Sequence, residues 1–156
     1  MTVDRFAGGA IGEPGNRVFL LEFVVDGEAI AYLIEKFQVG VLAQEAQSLL
    51  GEENMIGAGL SIDPGGVHAE TPVGFRVGAV QLRLDDDTAT LVVISTEEGD
   101  PPVAYELSLA QLDGFAREAL VAVTGGRPPC PRCGLAMDPD GHNCPRSNGD
   151  LSSFRP

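Results

Sequence analysis

The sequence predicts an α+β fold built from one βββα unit written twice, and three observations carry that expectation. Shifted by 73 positions, residues 31–50 lie over residues 104–123 with identities at Ala31/Ala104, Tyr32/Tyr105, Gln38/Gln111, Ala43/Ala116, Glu45/Glu118 and Ala46/Ala119. Val39, Leu42, Ala43, Ala46, Leu49 and Leu50 form a stripe at helical spacing, and its shifted counterpart, Leu112, Phe115, Ala116, Ala119, Ala122 and Val123, is again apolar throughout. A second match, at a shift of 69, sets residues 6–11 (FAGGAI) over residues 75–80 (FRVGAV). Chance identity between two Ala-rich helices is the competing explanation; agreement of element order on both sides favours duplication.

The first copy reads as strands near 4–11, 17–26 and 28–35, then a helix near 36–50. Residues 18–25 are apolar except for Glu22, as in a strand covered on both faces. Asp26-Gly27 marks a tight hairpin. The second copy reads as strands near 74–84, 88–96 and 102–108, then a helix near 109–124. Ser108 and Gln111 have the spacing of a capping box, and Gly125-Gly126 stops the helix. Short loops imply antiparallel sheet with two packed helices related by a pseudo-twofold axis, the body spanning residues 1–126 with copies near 4–50 and 74–124. The intervening residues 51–73, rich in Gly and Pro, read as disorder or an ornament.

Beyond the body, residues 127–149 run RPPCPRCGLAMDPDGHNCPRSNG. Cys130 and Cys133 form C-x2-C, and His142 and Cys144 form H-x-C nine residues on. Two thiolates at that spacing can point at one ion, Gly134 suits the left-handed position that this turn requires, and Asp138-Pro139-Asp140-Gly141 reverses the chain to return the second pair. The stretch is too short and too rich in Pro and Gly to build a core of its own, so it needs a metal to be ordered. Three thiolates and an imidazole are a closed tetrahedral set for Zn2+, a structural site with no open position for water. We therefore expect a zinc knuckle over residues 127–150, followed by a tail over 151–156. Cys130-Pro-Arg132 and Cys144-Pro-Arg146 place one arginine beside each half of the knuckle. Arg132 and Arg146 can clamp a phosphate or carboxylate of a ligand or partner, or dock the knuckle on the acidic body, and the second reading is preferred.

Charge narrows the partners. The chain carries 10 basic and 23 acidic residues, a net charge of −13, and 20 of the acids against six of the bases fall in residues 1–124. Such a body repels a polyphosphate backbone and an anionic membrane surface alike, which makes nucleic acid an unfavourable partner. Asp85, Asp86 and Asp87 read as a solvated hairpin turn rather than a calcium loop. No apolar run reaches the ~18–20 residues that cross a bilayer. MTVDRFAGG shows no basic segment leading into an apolar one, and the three thiols cluster between 130 and 144. Together these lead us to expect a cytoplasmic protein.

Signatures of catalysis are sparse. His68-Ala69-Glu70 with Pro129-Cys130-x-x-Cys133 spells the zinc-deaminase pattern, but Gly and Pro surround His68 where that chemistry needs a helix start, and His142 and Cys144 compete for the same metal across a shorter loop. His68 is otherwise an exposed loop histidine. Lys36, the sole lysine, cannot supply a P-loop, and no G-x-S-x-G occurs. Gly8, Gly9, Gly12 and Gly15 resemble a phosphate cradle, but no helix follows them and a strand-end turn is the better reading.

The segments GRPPCPRCGLAMDPDGHNCPRSNG, FAREALVAV, GEPGNRVFLLEF, EKFQVGVLA and FRVGAVQL resemble an uncharacterised family of actinobacterial conserved hypothetical proteins, a domain of unknown function with a C-terminal CPxCG…GHxCPR zinc-knuckle motif. The resemblance covers nearly the whole chain; it departs at Ala136, where a proline is expected, and at Asp150, where an aromatic commonly follows Asn148-Gly149. It implies a cytoplasmic protein with this metal-binding segment and transfers no activity. The resulting expectation is a non-enzymatic binding or adaptor protein with a structural Cys3His zinc site and a protein partner. The alternative is an enzyme or small-ligand sensor working in a cleft between the two copies, near Tyr32 and Tyr105.

Overall fold

A computed structural model describes residues 1–13, 15–52 and 62–125. The chain divides into two compact units, Met1–Val123 and Thr124–Pro156, and apart from the last residue of the second helix every described element lies in the first. In order these are β1 (Arg5–Ile11), β2 (Val18–Val25), β3 (Glu28–Ile34), α1 (Lys36–Glu52), β4 (Val73–Leu84), β5 (Thr88–Ser95), β6 (Val103–Ser108) and α2 (Leu109–Thr124). All eight expected elements are present, with ends displaced by at most two residues.

Local chemistry explains the boundaries. Asp26 and Gly27 both take positive φ, 51° and 81°, as a two-residue turn between twisted strands requires. Asp85 N–H donates to the Thr88 carbonyl at 2.8 Å, so the acidic run is an exposed hairpin turn. At the start of α2 the capping box closes in both directions: Ser108 N–H donates to Gln111 Oε1 (2.9 Å) and Gln111 N–H to Ser108 Oγ (3.0 Å). The start of α1 repeats half of it, Glu35 N–H donating to Gln38 Oε1 at 2.9 Å. Gly125, at φ 68°, ends α2 in the left-handed region.

The six strands form one sheet in sequence order, and one junction departs from the antiparallel expectation. The pairs β1–β2, β2–β3, β4–β5 and β5–β6 are antiparallel, whereas β3 and β4 run parallel through Ala31↔Val73 and Leu33↔Arg76. The physical reason is the connection: the chain leaves β3 through α1 and enters β4 from residues 62–72 at the end of the sheet where β3 began, and a strand reached by such a crossover runs parallel. The residues ahead of β1 also meet β6. Thr2 bridges Glu106 in parallel, Val3 N–H donates to the Glu106 carbonyl (3.1 Å) and Glu106 N–H to the Met1 carbonyl (2.7 Å). Each half thus touches the other through a parallel seam.

Both helices feed one core, Val39, Leu42, Ala43, Ala46 and Leu50 from α1 joining Leu112, Phe115, Ala116 and Ala119 from α2. Aromatic rings run through it. Phe115 stacks on Phe6 (4.3 Å between centroids), Phe6 on Phe23 (4.7 Å) and Phe23 on Tyr105 (3.8 Å), while Tyr32 lies tilted against Phe75 (4.6 Å). The Phe6 stack needs Gly8, where a Cβ would collide with the Phe115 ring. Tyr32 and Tyr105 are each 2% exposed and their hydroxyls hydrogen-bond to each other at 2.5 Å. Gln111 Nε2 donates to the Val3 carbonyl (2.8 Å) and Gln38 Nε2 to the Gly78 carbonyl (3.2 Å), so each helix start reaches the beginning of the other half.

Candidate functional site

Alternation along β2 sends Phe19, Leu21 and Phe23 into the core and Glu22 to the opposite face. Across the sheet Glu22 faces Ala7 on β1 and Ala31 on β3, whose single methyls leave room for a carboxylate. Residues 62–72 cover it. Glu22 is fully buried, and both oxygens are taken. Oε1 accepts the His68 backbone N–H (2.8 Å) and the Thr71 hydroxyl (2.9 Å); Oε2 accepts His68 Nδ1 (2.8 Å) and pairs with Arg5 Nη2. Burial alone pushes the Glu22 carboxyl up, but the His68 and Thr71 hydrogen bonds and the Arg5 charge outweigh it and hold it below its ordinary value. Arg5 spends its other nitrogen on the loop, Nη1 donating to the carbonyls of Pro64 (2.5 Å) and Gly66 (2.7 Å). The guanidinium fork thereby ties loop backbone to buried carboxylate, a role a lysine could not fill.

The covering segment is well fastened. Gly65 and Gly66 both sit at φ 79°, Gly65 N–H donates to Asp63 Oδ1 (2.9 Å), and Ala31 N–H donates to the Pro72 carbonyl (2.9 Å). At its other end Ile62 N–H donates to the Ala110 carbonyl (3.2 Å), and its backbone lies against Gly114, where a Cβ would clash. The expectation of disorder or ornament over 51–73 therefore fails for 62–72, because a buried charge lies beneath. His68 has a half-exposed side chain but is not a loose loop histidine, since its ring is held by Glu22. No helix begins at His68, so the deaminase pattern lacks its scaffold there.

A cavity of about 540 Å³ opens elsewhere, lined by Arg17, Lys36 and Arg76 with Phe19, Leu33 and Glu35 among its walls. Tyr32 and Tyr105, expected beside a cleft, instead seal the core. Burial pushes both phenols up, and Tyr105 is raised further by its Tyr32 partner, so the pair stays neutral. Gly12 and Gly15 lie between β1 and β2 at positive φ, as a strand-end turn, and Gly15 also lines the cavity. The expected zinc ligands Cys130, Cys133, His142 and Cys144, together with Arg132 and Arg146, lie outside the described residues. Among the described residues no group of three or more His, Cys, Asp or Glu could hold a metal. Sequence reasoning passed over Arg5, Thr71, Arg17, Lys36 and Arg76 as site residues; the one visible signal was Glu22 breaking an apolar strand.

Fold and site together define an α+β protein with a six-stranded mixed sheet, a loop stapled over a buried carboxylate and a cation-lined cavity. Residues 1–144 match the family described as "Protein of unknown function (DUF3090)", and the chain belongs to that family. Comparison with curated proteins and with solved structures gives no match. No helix among the described residues is long and apolar enough to cross a membrane.

Proposed function

We propose that this chain is a non-catalytic binding or adaptor protein of the cytoplasm, whose body carries a C-terminal knuckle closed by one structural zinc ion and offered to a protein partner. The observation that carries this reading is the donor set Cys130, Cys133, His142 and Cys144 within 15 residues of a Pro- and Gly-rich stretch. Four protein donors complete a zinc tetrahedron, so the ion orders the chain rather than activating water. The body adds support. Glu22 and His68, its most acid–base-like pair, are engaged in fastening the loop over residues 62–72. On α1, Phe37 is 78% exposed and Val41, one turn on, is 47% exposed, leaving two apolar side chains that a partner could cover. Arg132 and Arg146 stand beside the two halves of that donor set as the residues that contact the partner.

We also infer that the body arose by duplication of a βββα unit. Support comes from the element order, from the Tyr32–Tyr105 and Gln38/Gln111 correspondences at an offset of 73, and from the two parallel seams. A second reading, a small-ligand sensor, draws on the cavity at Arg17, Lys36 and Arg76 rather than on Tyr32 and Tyr105.

Elemental analysis of the purified full chain tests the zinc. One zinc per chain is expected, falling to a small fraction in Cys133→Ser and in His142→Ala. Absence of stoichiometric zinc, or full zinc in a variant lacking all three thiols, overturns the reading. Affinity capture from the native host with wild type and Cys133→Ser in parallel tests the partner: a protein retained only by the wild type is expected, and identical captures overturn the adaptor role.

A further inference from the structure

The cavity beside α1 concentrates what the rest of the body lacks. Residues 1–124 hold only six basic side chains, and three of them, Arg17, Lys36 and Arg76, line this one space. Glu35 is the one carboxylate among its walls, so the lining keeps a surplus of positive charge inside a strongly acidic body. Glu35 pairs with Arg76 at 3.0 Å and steadies it at the mouth.

Two of the cations are placed at a local cost. Lys36 is the first residue of α1, the end of a helix where a cation meets the positive pole of the dipole. Arg17 donates through Nη1 to the Ala122 carbonyl (3.0 Å) near the end of α2, while its buried Nε has no acceptor among the described residues. A buried guanidinium donor left unmatched is unfavourable unless something supplies an acceptor. The other walls are apolar, formed by Val18, Phe19, Leu33 and Ile34. A volume of about 540 Å³ suits a small organic molecule.

We propose that this cavity binds a small organic anion, its phosphate or carboxylate head held by Arg17, Lys36 and Arg76 at the start of α1 and its apolar part resting on Phe19 and Leu33. The first-turn N–H groups of α1 have no intrahelical acceptors and add to the attraction for an anion. The apolar wall selects against inorganic ions in favour of molecules with a hydrophobic body. The site is argued from the cavity in the first unit and not from the zinc knuckle.

The test is titration of the full chain, at constant ionic strength, with inorganic phosphate, phenyl phosphate and benzoate, followed by amide chemical shifts. Saturable shifts are expected over residues 15–19 and 34–37, with phenyl phosphate binding more tightly than inorganic phosphate; the tighter of phenyl phosphate and benzoate identifies the head group. Lys36→Gln and Arg76→Gln, which alter exposed side chains and leave the Arg17–Ala122 bond in place, weaken binding about fivefold to tenfold each. Absence of saturable shifts with all three anions, shifts centred on Arg132 and Arg146 instead, or unchanged affinity in both variants overturns the proposal.

Discussion

Glu22 is a fully buried carboxylate with four donors around it, and its energetics are those of a closed network rather than of one ion pair. Removing one member exposes the rest. Glu22→Gln leaves Arg5 beneath residues 62–72 without its counter-charge, and breaking a part-buried pair of this kind costs about 3 kcal/mol. Urea denaturation measures that loss, and hydrogen exchange at Thr71 and Ala31 should quicken with it; an unchanged midpoint would show that the network contributes nothing to the fold. Acid should act in the same direction. The folded-state pKa of Glu22 is depressed, so its stabilisation is fully present above the unfolded carboxylate value of about 4.3 and is lost as pH falls through the lower folded value. The wild type should therefore lose stability more steeply below about pH 4 than Glu22→Gln. A Glu interrupting an apolar strand was legible as an anomaly, but its partners lie 17, 46 and 49 residues away in the chain, and no local pattern announces contacts so distant.

At the scale of elements, strands and helices were legible because short-range chemistry terminates each of them: Asp26-Gly27, the acidic turn at 85–87, and the Ser108–Gln111 box. The parallel β3–β4 junction was not, because it follows from where α1 and residues 62–72 deliver the chain, a matter of three-dimensional return rather than of periodicity. The Tyr32–Tyr105 bond illustrates the same divide. Equivalence of the two positions could be read from the offset of 73; their meeting in the core could not. Tyr32→Phe or Tyr105→Phe alone strands a buried hydroxyl and should cost about 1–3 kcal/mol, whereas the double variant removes both polar groups and should cost less than the sum. A double-mutant cycle by thermal or chemical denaturation measures the coupling, and strict additivity would mean that the hydroxyls do not depend on each other. Under the proposed duplication the halves differ here: Ala31 pairs with Glu22, whereas Ala104, at the offset of 73, pairs with Val92.

For the whole molecule, every described residue of the core lies at or before Val123, within the first unit. Chelation of the proposed zinc should accordingly leave the far-UV circular dichroism of the sheet and helices in place. Collapse of that signal on chelation would show instead that the body depends on the metal. Charge was the most legible whole-molecule property, and its excess of acid still argues against a nucleic-acid partner. What composition concealed was that half of the body's few cations gather around one cavity, since an average says nothing about placement.

An open sheet of six strands ends in two rows of unspent backbone donors and acceptors, a template on which a second chain can grow. Here Met1 and Val3, in the segment ahead of β1, satisfy backbone groups of Glu106 on β6, so part of the β6 rim is occupied. The residues ahead of β1 therefore cover one position of an edge on which another strand could pair.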